Sequence, residues 1–196
     1  MLLAIDCGNT NTVFAVYDGD VRKGSWRLAT NANRTSDEYA VWLTQFMGLA
    51  GLKVSAIDAA VIATVVPAAK FALKSLCRTY FKAEPLIVGE PGVKLGIAIA
   101  VERPEQVGAD RLVNAVAVQA HYPGDAIVVD FGTATTFDVI GADGRYEGGA
   151  IAPGVNLSVD ALYRASAQLP RVAVERPQRV IGKATVPAMQ SGVFWG

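Results

Sequence analysis

The sequence predicts an α/β fold made of two related halves, each a mixed β-sheet flanked by helices. Three observations carry that prediction. Residues 2–17 (LLAIDCGNTNTVFAVY) and 126–140 (AIVVDFGTATTFDVI) repeat one pattern: an apolar strand ending in Asp, an x-Gly-Asn/Thr turn, and a strand running back. Tyr17-Asp18-Gly19-Asp20 and Gly141-Ala142-Asp143-Gly144 then supply hairpin turns at matching offsets, each leading into a third strand, about 21–30 and 145–152. The order of elements, βββαβα and then βββα, is that of two sheets with helices packed on them rather than of one meander.

Taken in order, strands at 2–6, 12–17 and 21–30 form the first meander. A capping box, Thr35 with Glu38, opens a helix at 36–48 whose Tyr39, Trp42, Leu43, Phe46 and Met47 share one face. Residues 57–65 are continuously apolar and read as a buried parallel strand, and Pro67 starts a helix reaching about Phe81. Short strands are expected at 85–89 and 97–101, then a helix at 109–121, the second turn within 126–140, a strand at 145–152 and a helix at 155–167. A polar, proline-bearing loop follows, and 184–195 is helical in pattern. The domain boundary is expected at His121-Tyr122-Pro123-Gly124-Asp125, dividing the chain into 1–121 and 122–196.

Composition narrows the function. Eighteen basic residues balance eighteen acidic ones, with no basic run, which argues against a nucleic-acid partner. Two cysteines, Cys7 and Cys77, make no disulfide framework, so a reducing cytoplasm is the expected home. The apolar N-terminus lacks a basic flank and is interrupted by Asp6, unlike a signal peptide. The longest apolar stretch, near 59–69, is too short for a membrane span and contains Pro67.

The repeated turns have the chemistry of phosphate cradles. Gly8 and Gly132 let backbone N–H groups approach an oxyanion, and Asn9, Thr10, Thr12, Thr133, Thr135 and Thr136 add short side-chain donors. Asp6 and Asp130, 124 positions apart, cannot donate to phosphate at neutral pH, so a cation between carboxylate and phosphate is implied, most simply Mg²⁺ through water. An ordinary hairpin with Asx-turn bonding uses the same residues, but the repeat favours the cradle. Cys7 reads as a small buried filler. Gly108-Ala109-Asp110-Arg111 places an acid and a base at a helix N-terminus. Asp110 could take a proton from an attacking hydroxyl and Arg111 could balance a transferred phosphoryl group, although an N-cap Asp with a solvated Arg fits equally. Gly148-Gly149-Ala150-Ile151-Ala152-Pro153-Gly154 forms a strand end and helix start with room for close backbone approach. The only histidine, His121, reads as a solvated helix end, and neither a Rossmann nor a P-loop signature is present.

These pieces, D-C-G-N-T-N at 6–11, G-A-D-R at 108–111, D-F-G-T-A-T-T at 130–136 and G-G-A-I-A-P-G at 148–154, together with Gly182-Lys183-Ala184-Thr185 and Ala188 to Gly192, resemble the type III pantothenate kinases over the whole chain. The resemblance implies the actin, sugar-kinase and heat-shock-chaperone fold: two ribonuclease-H-like halves with mixed five-stranded-type sheets, the second half shortened at its C-terminus. It implies ATP-dependent phosphorylation of pantothenate, the first step of coenzyme A synthesis, with Mg²⁺, a monovalent cation (K⁺ or NH₄⁺) and a homodimer. Carried over by position, Asp110 is the general base. Asp6, Cys7, Gly8, Asn9, Thr10, Asn11, Thr12, Val13 and Thr133 hold ATP phosphates. Gly108, Ala109, Asp110, Arg111 and Thr185 line the pantothenate site. Asp130 binds the monovalent ion, and Asp6 holds Mg²⁺ through water. Val101 stands where many relatives carry a Tyr that touches pantothenate. A regulatory role in transcription and an ATP-hydrolysing switch are the rival readings; the intact G-A-D-R favours the kinase.

Overall fold

The computed structural model describes residues 1–196. Its first sheet contains β1 (Leu2–Cys7), β2 (Asn11–Asp18), β3 (Val21–Ala29), β4 (Ala59–Thr64) and β5 (Pro85–Ile87) in the order β3-β2-β1-β4-β5. β1 runs antiparallel to β2 and parallel to β4, so the strand carrying Asp6 lies at the centre of a mixed sheet. Two helices, α1 (Ser36–Leu49) and α2 (Pro67–Tyr80), cover one face. Alternation in β1 and β2 sends Leu3, Ile5, Phe14 and Val16 into a core shared with Tyr39, Leu43 and Met47 of α1 and Leu73 and Leu76 of α2. α1 begins with the expected capping box: Glu38 N–H donates to the Thr35 hydroxyl, and Thr35 N–H donates to the Glu38 carboxylate. α2 begins with Pro67, whose missing N–H is one the helix would leave unpaired anyway.

The second sheet repeats the meander. β6 (Ala126–Phe131), β7 (Ala134–Ile140) and β8 (Tyr146–Pro153) are joined antiparallel in that order. The repeat reaches to fine detail, since the register shifts between Val16 and Tyr17 in one copy and between Val139 and Ile140 in the other. The expected five-stranded second sheet is not found. After β8 the chain forms α4 (Val155–Ala165), an irregular segment and α5 (Thr185–Trp195), and contributes no further strand. β6 therefore lacks the parallel neighbour that β1 has in β4. Its Ile127 and Phe131 are 67% and 74% exposed.

Residues 97–101 also depart from expectation. They form a single bridge, Ile99 to Tyr146, rather than a strand. Ala100 N–H donates to Tyr146 O at 2.8 Å and Tyr146 N–H donates to Ala98 O at 2.9 Å, which ties this segment to the start of β8 and no further.

One helix binds the two sheets. α3 (Ala109–His121) packs Ala109 and Leu112 with Ala63 of β4 and Val88, and one turn on packs Ala115 with Ile140 and Tyr146 of the second sheet. Its first turn, carrying Asp110 and Arg111, is thus fixed from both sides. No helix is long and apolar enough to cross a membrane.

Candidate active site

The two glycine turns are similar but not identical. In the first, Cys7 pairs with Thr12, and Gly8 N–H closes the loop on Asn11 O at 3.0 Å. In the second, Phe131 pairs with Thr135, and Gly132 N–H closes on Ala134 O at 2.9 Å, one residue sooner. The turns meet: the Thr10 and Thr133 hydroxyls are 2.7 Å apart. Asn9, Thr10, Asn11 and Thr133 are exposed there, with Gly8 and Val13 half-buried.

Not every expected donor is free. Cys7 and Thr12 are fully buried and face the core. The Thr12 hydroxyl lies 3.4 Å from Cys7 Sγ and 2.9 Å from the Thr30 hydroxyl, which itself donates to Gly8 O at 2.7 Å. Thr30 N–H also donates to Thr10 O at 2.9 Å. Cys7 and Thr12 can therefore reach a phosphate only through the backbone, and Thr30, at the end of β3, braces the turn from behind. In the second turn Thr135 is buried and Thr136 donates to Asp138 at 3.1 Å, leaving Thr133 as the exposed hydroxyl that meets Thr10.

Electrostatics gathers three carboxylates at this place. The Asp6 pKa is pushed above its ordinary value, first by burial of the carboxylate among cleft atoms and then by the charges of Asp110 and Asp130. No three His, Cys, Asp or Glu side chains converge into a ready-made cage. The donor set is nonetheless all hard oxygen. Carboxylates that repel one another beside a phosphate-sized turn fit the manner in which Mg²⁺ is held, through water and substrate oxygens with one or two carboxylates.

Asp110 lies in the first turn of α3, after the Gly108 cap, and its carboxylate accepts from Arg111 N–H at 2.8 Å. Ala109 is buried, while Gly108, Asp110 and Arg111 are partly open. The Arg111 side chain is not the free, solvated cation that its motif allows. Its Nε donates to Asp138 Oδ1 at 2.6 Å, and Asp138 is fully buried. The Tyr146 hydroxyl donates to the same oxygen at 2.8 Å, and burial, reinforced by that bond, pushes the Tyr146 pKa up to about 12.

The glycine-rich segment around 148–154 earns its residues sterically. A Cβ on Gly149 would lie 1.9 Å from Phe137 O, and one on Gly154 would lie 2.4 Å from Thr133 O. Gly154 N–H donates to that same Thr133 oxygen at 3.1 Å, docking the start of α4 on the second turn. Val101 touches this segment, 3.5 Å from where a Gly148 Cβ would stand. Thr185 opens α5, exposed and without a side-chain hydrogen bond, so the structure does not tie it to the Asp110 cluster. Sequence reasoning missed Thr30, Asp138 and Tyr146. A visible signal existed for Asp138: it is a charged residue at an inward position of β7, between Thr136 and Ile140 on the same face.

A glycine turn repeated in a mixed sheet and in an antiparallel one, with an acidic residue on the helix between them, defines the sugar-kinase and actin class of folds. Solved structures agree on the fold: a Campylobacter jejuni protein assigned to the Baf family of transcriptional activators superposes with a TM-score of 0.56 at 20% identity, covering 98% of this chain and 74% of its own. A Sinorhizobium meliloti protein assigned as a 2-dehydro-3-deoxygalactonokinase gives 0.54 at 15% identity, over 92% and 62%. The chain belongs to the type III pantothenate kinase family, whose sequence profile matches residues 2–196. It is 65% identical to the type III pantothenate kinase of Paramagnetospirillum magneticum and 66% identical to that of Rhodospirillum rubrum. The whole chain is covered in both cases, and it spans 75% and 76% of those relatives.

Proposed function

We propose that this chain transfers the γ-phosphoryl group of ATP to the hydroxyl of pantothenate, giving 4'-phosphopantothenate and ADP. Family membership supports the reaction, and one structural observation supports its location: two glycine turns joined at Thr10 and Thr133, with Asp6 and Asp130 on their strands and Asp110 facing them. The backbone of Asp6 to Val13 and the Thr133 hydroxyl hold the phosphates. Gly108, Ala109, Asp110, Arg111 and Thr185 receive pantothenate. The Asp110 carboxylate takes the proton of the pantothenate hydroxyl as that oxygen bonds to the γ-phosphorus, and the bond from phosphorus to the β-phosphate oxygen breaks with its electron pair leaving on ADP. Mg²⁺, held through water by Asp6, and K⁺ or NH₄⁺, held by Asp130, would neutralise phosphate charge that the carboxylates otherwise repel.

The fold divides functionally at residue 121, with 1–121 supplying the first turn and the base and 122–196 the second turn. The catalytic unit is a cytoplasmic homodimer without nucleic-acid or membrane partners. A coupled assay tests the reading: ADP release that depends on pantothenate supports it, whereas ADP release indifferent to pantothenate marks an ATPase switch and overturns it.

A further inference from the structure

We propose that Asp138, with Tyr146, is a positioning residue for the reaction: it seats the Arg111 guanidinium beside Asp110 so that Arg111 can meet an oxygen of the organic substrate. The proposal rests on pantothenate being that substrate.

The geometry is that of a socket rather than a surface ion pair. Asp138 is fully buried in β7, and three side chains donate to it from fixed positions. Oδ1 accepts from Arg111 Nε at 2.6 Å and from the Tyr146 hydroxyl at 2.8 Å, while Oδ2 accepts from the Thr136 hydroxyl at 3.1 Å. The guanidinium also lies over the Tyr146 ring, 5.7 Å from its centroid. A buried carboxylate and a mostly buried guanidinium are costly to desolvate, and such a pair is weak evidence for stability as such. Its place in a strand facing α3 points to a use other than stability.

That use shows in what Asp138 leaves undone. An Arg–carboxylate pair usually closes as a two-pronged fork. Here Oδ1 is shared with Tyr146, Oδ2 accepts from Thr136, and Arg111 is held by Nε alone. Its Nη2 is buried with no acceptor, pressed toward Gly149, where a Cβ would come within 2.9 Å. The side chain is only 15% exposed, so it has little freedom to swing away. Arg111 is therefore clamped at Nε and lacks an acceptor at Nη2, next to the proposed base. An unmet, charged donor fixed in this way suits an incoming anionic or carbonyl oxygen, and its placement depends on Asp138 and Tyr146 rather than on Arg111 alone.

The test compares Asp138→Asn, Tyr146→Phe, Arg111→Met and the Arg111→Met/Asp138→Asn double variant with the unmodified full chain. Pantothenate and ATP kinetics are measured alongside pantothenate binding by calorimetry. Asp138→Asn is expected to raise the KM for pantothenate about tenfold or more, the scale of one charge-assisted hydrogen bond, with the KM for ATP within about twofold. In the Arg111→Met background Asp138→Asn should add nothing, because its effect runs through Arg111. Tyr146→Phe removes one hydroxyl and keeps the ion pair, so it provides the same readout, an increase of about threefold, if Asp138→Asn does not fold. Pantothenate KM unchanged in the variants, effects on Arg111→Met that simply add, or equal loss toward ATP and pantothenate would each overturn the assignment. An unmodified chain that neither binds nor phosphorylates pantothenate overturns the functional reading and this assignment with it. Normal binding by the unmodified chain and by Asp138→Asn overturns this assignment alone.

Discussion

The hydroxyls of Thr10 and Thr133 stand 2.7 Å apart although 123 positions separate them in the chain. One proton bridges the two oxygens, so in this arrangement a donor is spent on the protein itself. A phosphate held between the turns, as proposed, would accept from both hydroxyls and replace one neutral bond with two charge-assisted ones. Thr133→Val is expected to raise the KM for ATP about tenfold with little change in the KM for pantothenate. A variant whose two KM values rise together would place Thr133 elsewhere in the mechanism.

No histidine stands beside Asp110 to serve as base in its place. The only histidine, His121, lies at the far end of the same helix and is exposed. Asp110→Asn is expected to lower kcat by about two to four orders of magnitude while ATP still binds. Near-normal turnover in that variant would remove Asp110 from the role of base.

How much of this was legible beforehand follows from which interactions are local. The paired turns, the capping box at Thr35 and Glu38, and Pro67 at the start of α2 are written in adjacent residues and were readable there. The 97–101 segment misled because its continuous run of apolar residues resembles a strand, while a strand requires a partner along its length and this one meets only Tyr146. The second sheet was expected to match the first, yet a three-stranded meander carries no local record of whether parallel strands follow it. Thr12 looked like one more donor beside Thr10. Strand alternation turns it inward, where Thr30 and Cys7 occupy it. The Arg111–Asp138 pair joins a helix to a strand 27 positions later, and no short motif announces such a meeting.

Asp6 couples the site to stability. Its pKa is raised in the folded protein, so the folded state holds that proton more tightly than the unfolded chain does. The carboxylate thus weakens the ligand-free fold once ionised. The penalty is absent below the ordinary value of 3.8, grows as pH rises through the elevated value, and is complete at neutral pH. Asp6→Asn should therefore melt higher than the unmodified protein near pH 7, with the advantage fading toward pH 3.8, while activity falls. Calorimetric melting across that range checks it, and a variant less stable at pH 7 would contradict the linkage.

Asp130 and Asp6 repeat one position in the two halves but are assigned different ions. Asp130→Ala is expected to abolish stimulation by K⁺ or NH₄⁺ and to leave a dependence on Mg²⁺, because Asp6 remains. Initial rates in K⁺, NH₄⁺ and Na⁺ at fixed Mg²⁺ decide the matter. An unmodified enzyme indifferent to exchange of K⁺ for Na⁺ would count against any monovalent site.

Two helices, α3 and α4, carry apolar side chains that a dimer contact could use. The structure distinguishes them: Val113 and Val116 of α3 are partly buried within the chain, whereas Leu157, Leu162 and Tyr163 of α4 are 50%, 40% and 50% exposed. α4 therefore carries the greater unused apolar surface, and a twofold contact there would use each residue twice. One charge inserted at such a contact is felt in both copies and is buried without a partner, a cost of several kcal/mol in a closed interface (~3–5). Leu162→Glu is expected to shift sedimentation at micromolar concentration from dimer to monomer with the far-ultraviolet spectrum unchanged, and Val116→Glu to disturb the fold before it disturbs assembly. If Leu162→Glu stays dimeric while an unmodified chain is also dimeric, the contact lies off α4; if the unmodified chain is monomeric, the proposed homodimer does not form from these residues.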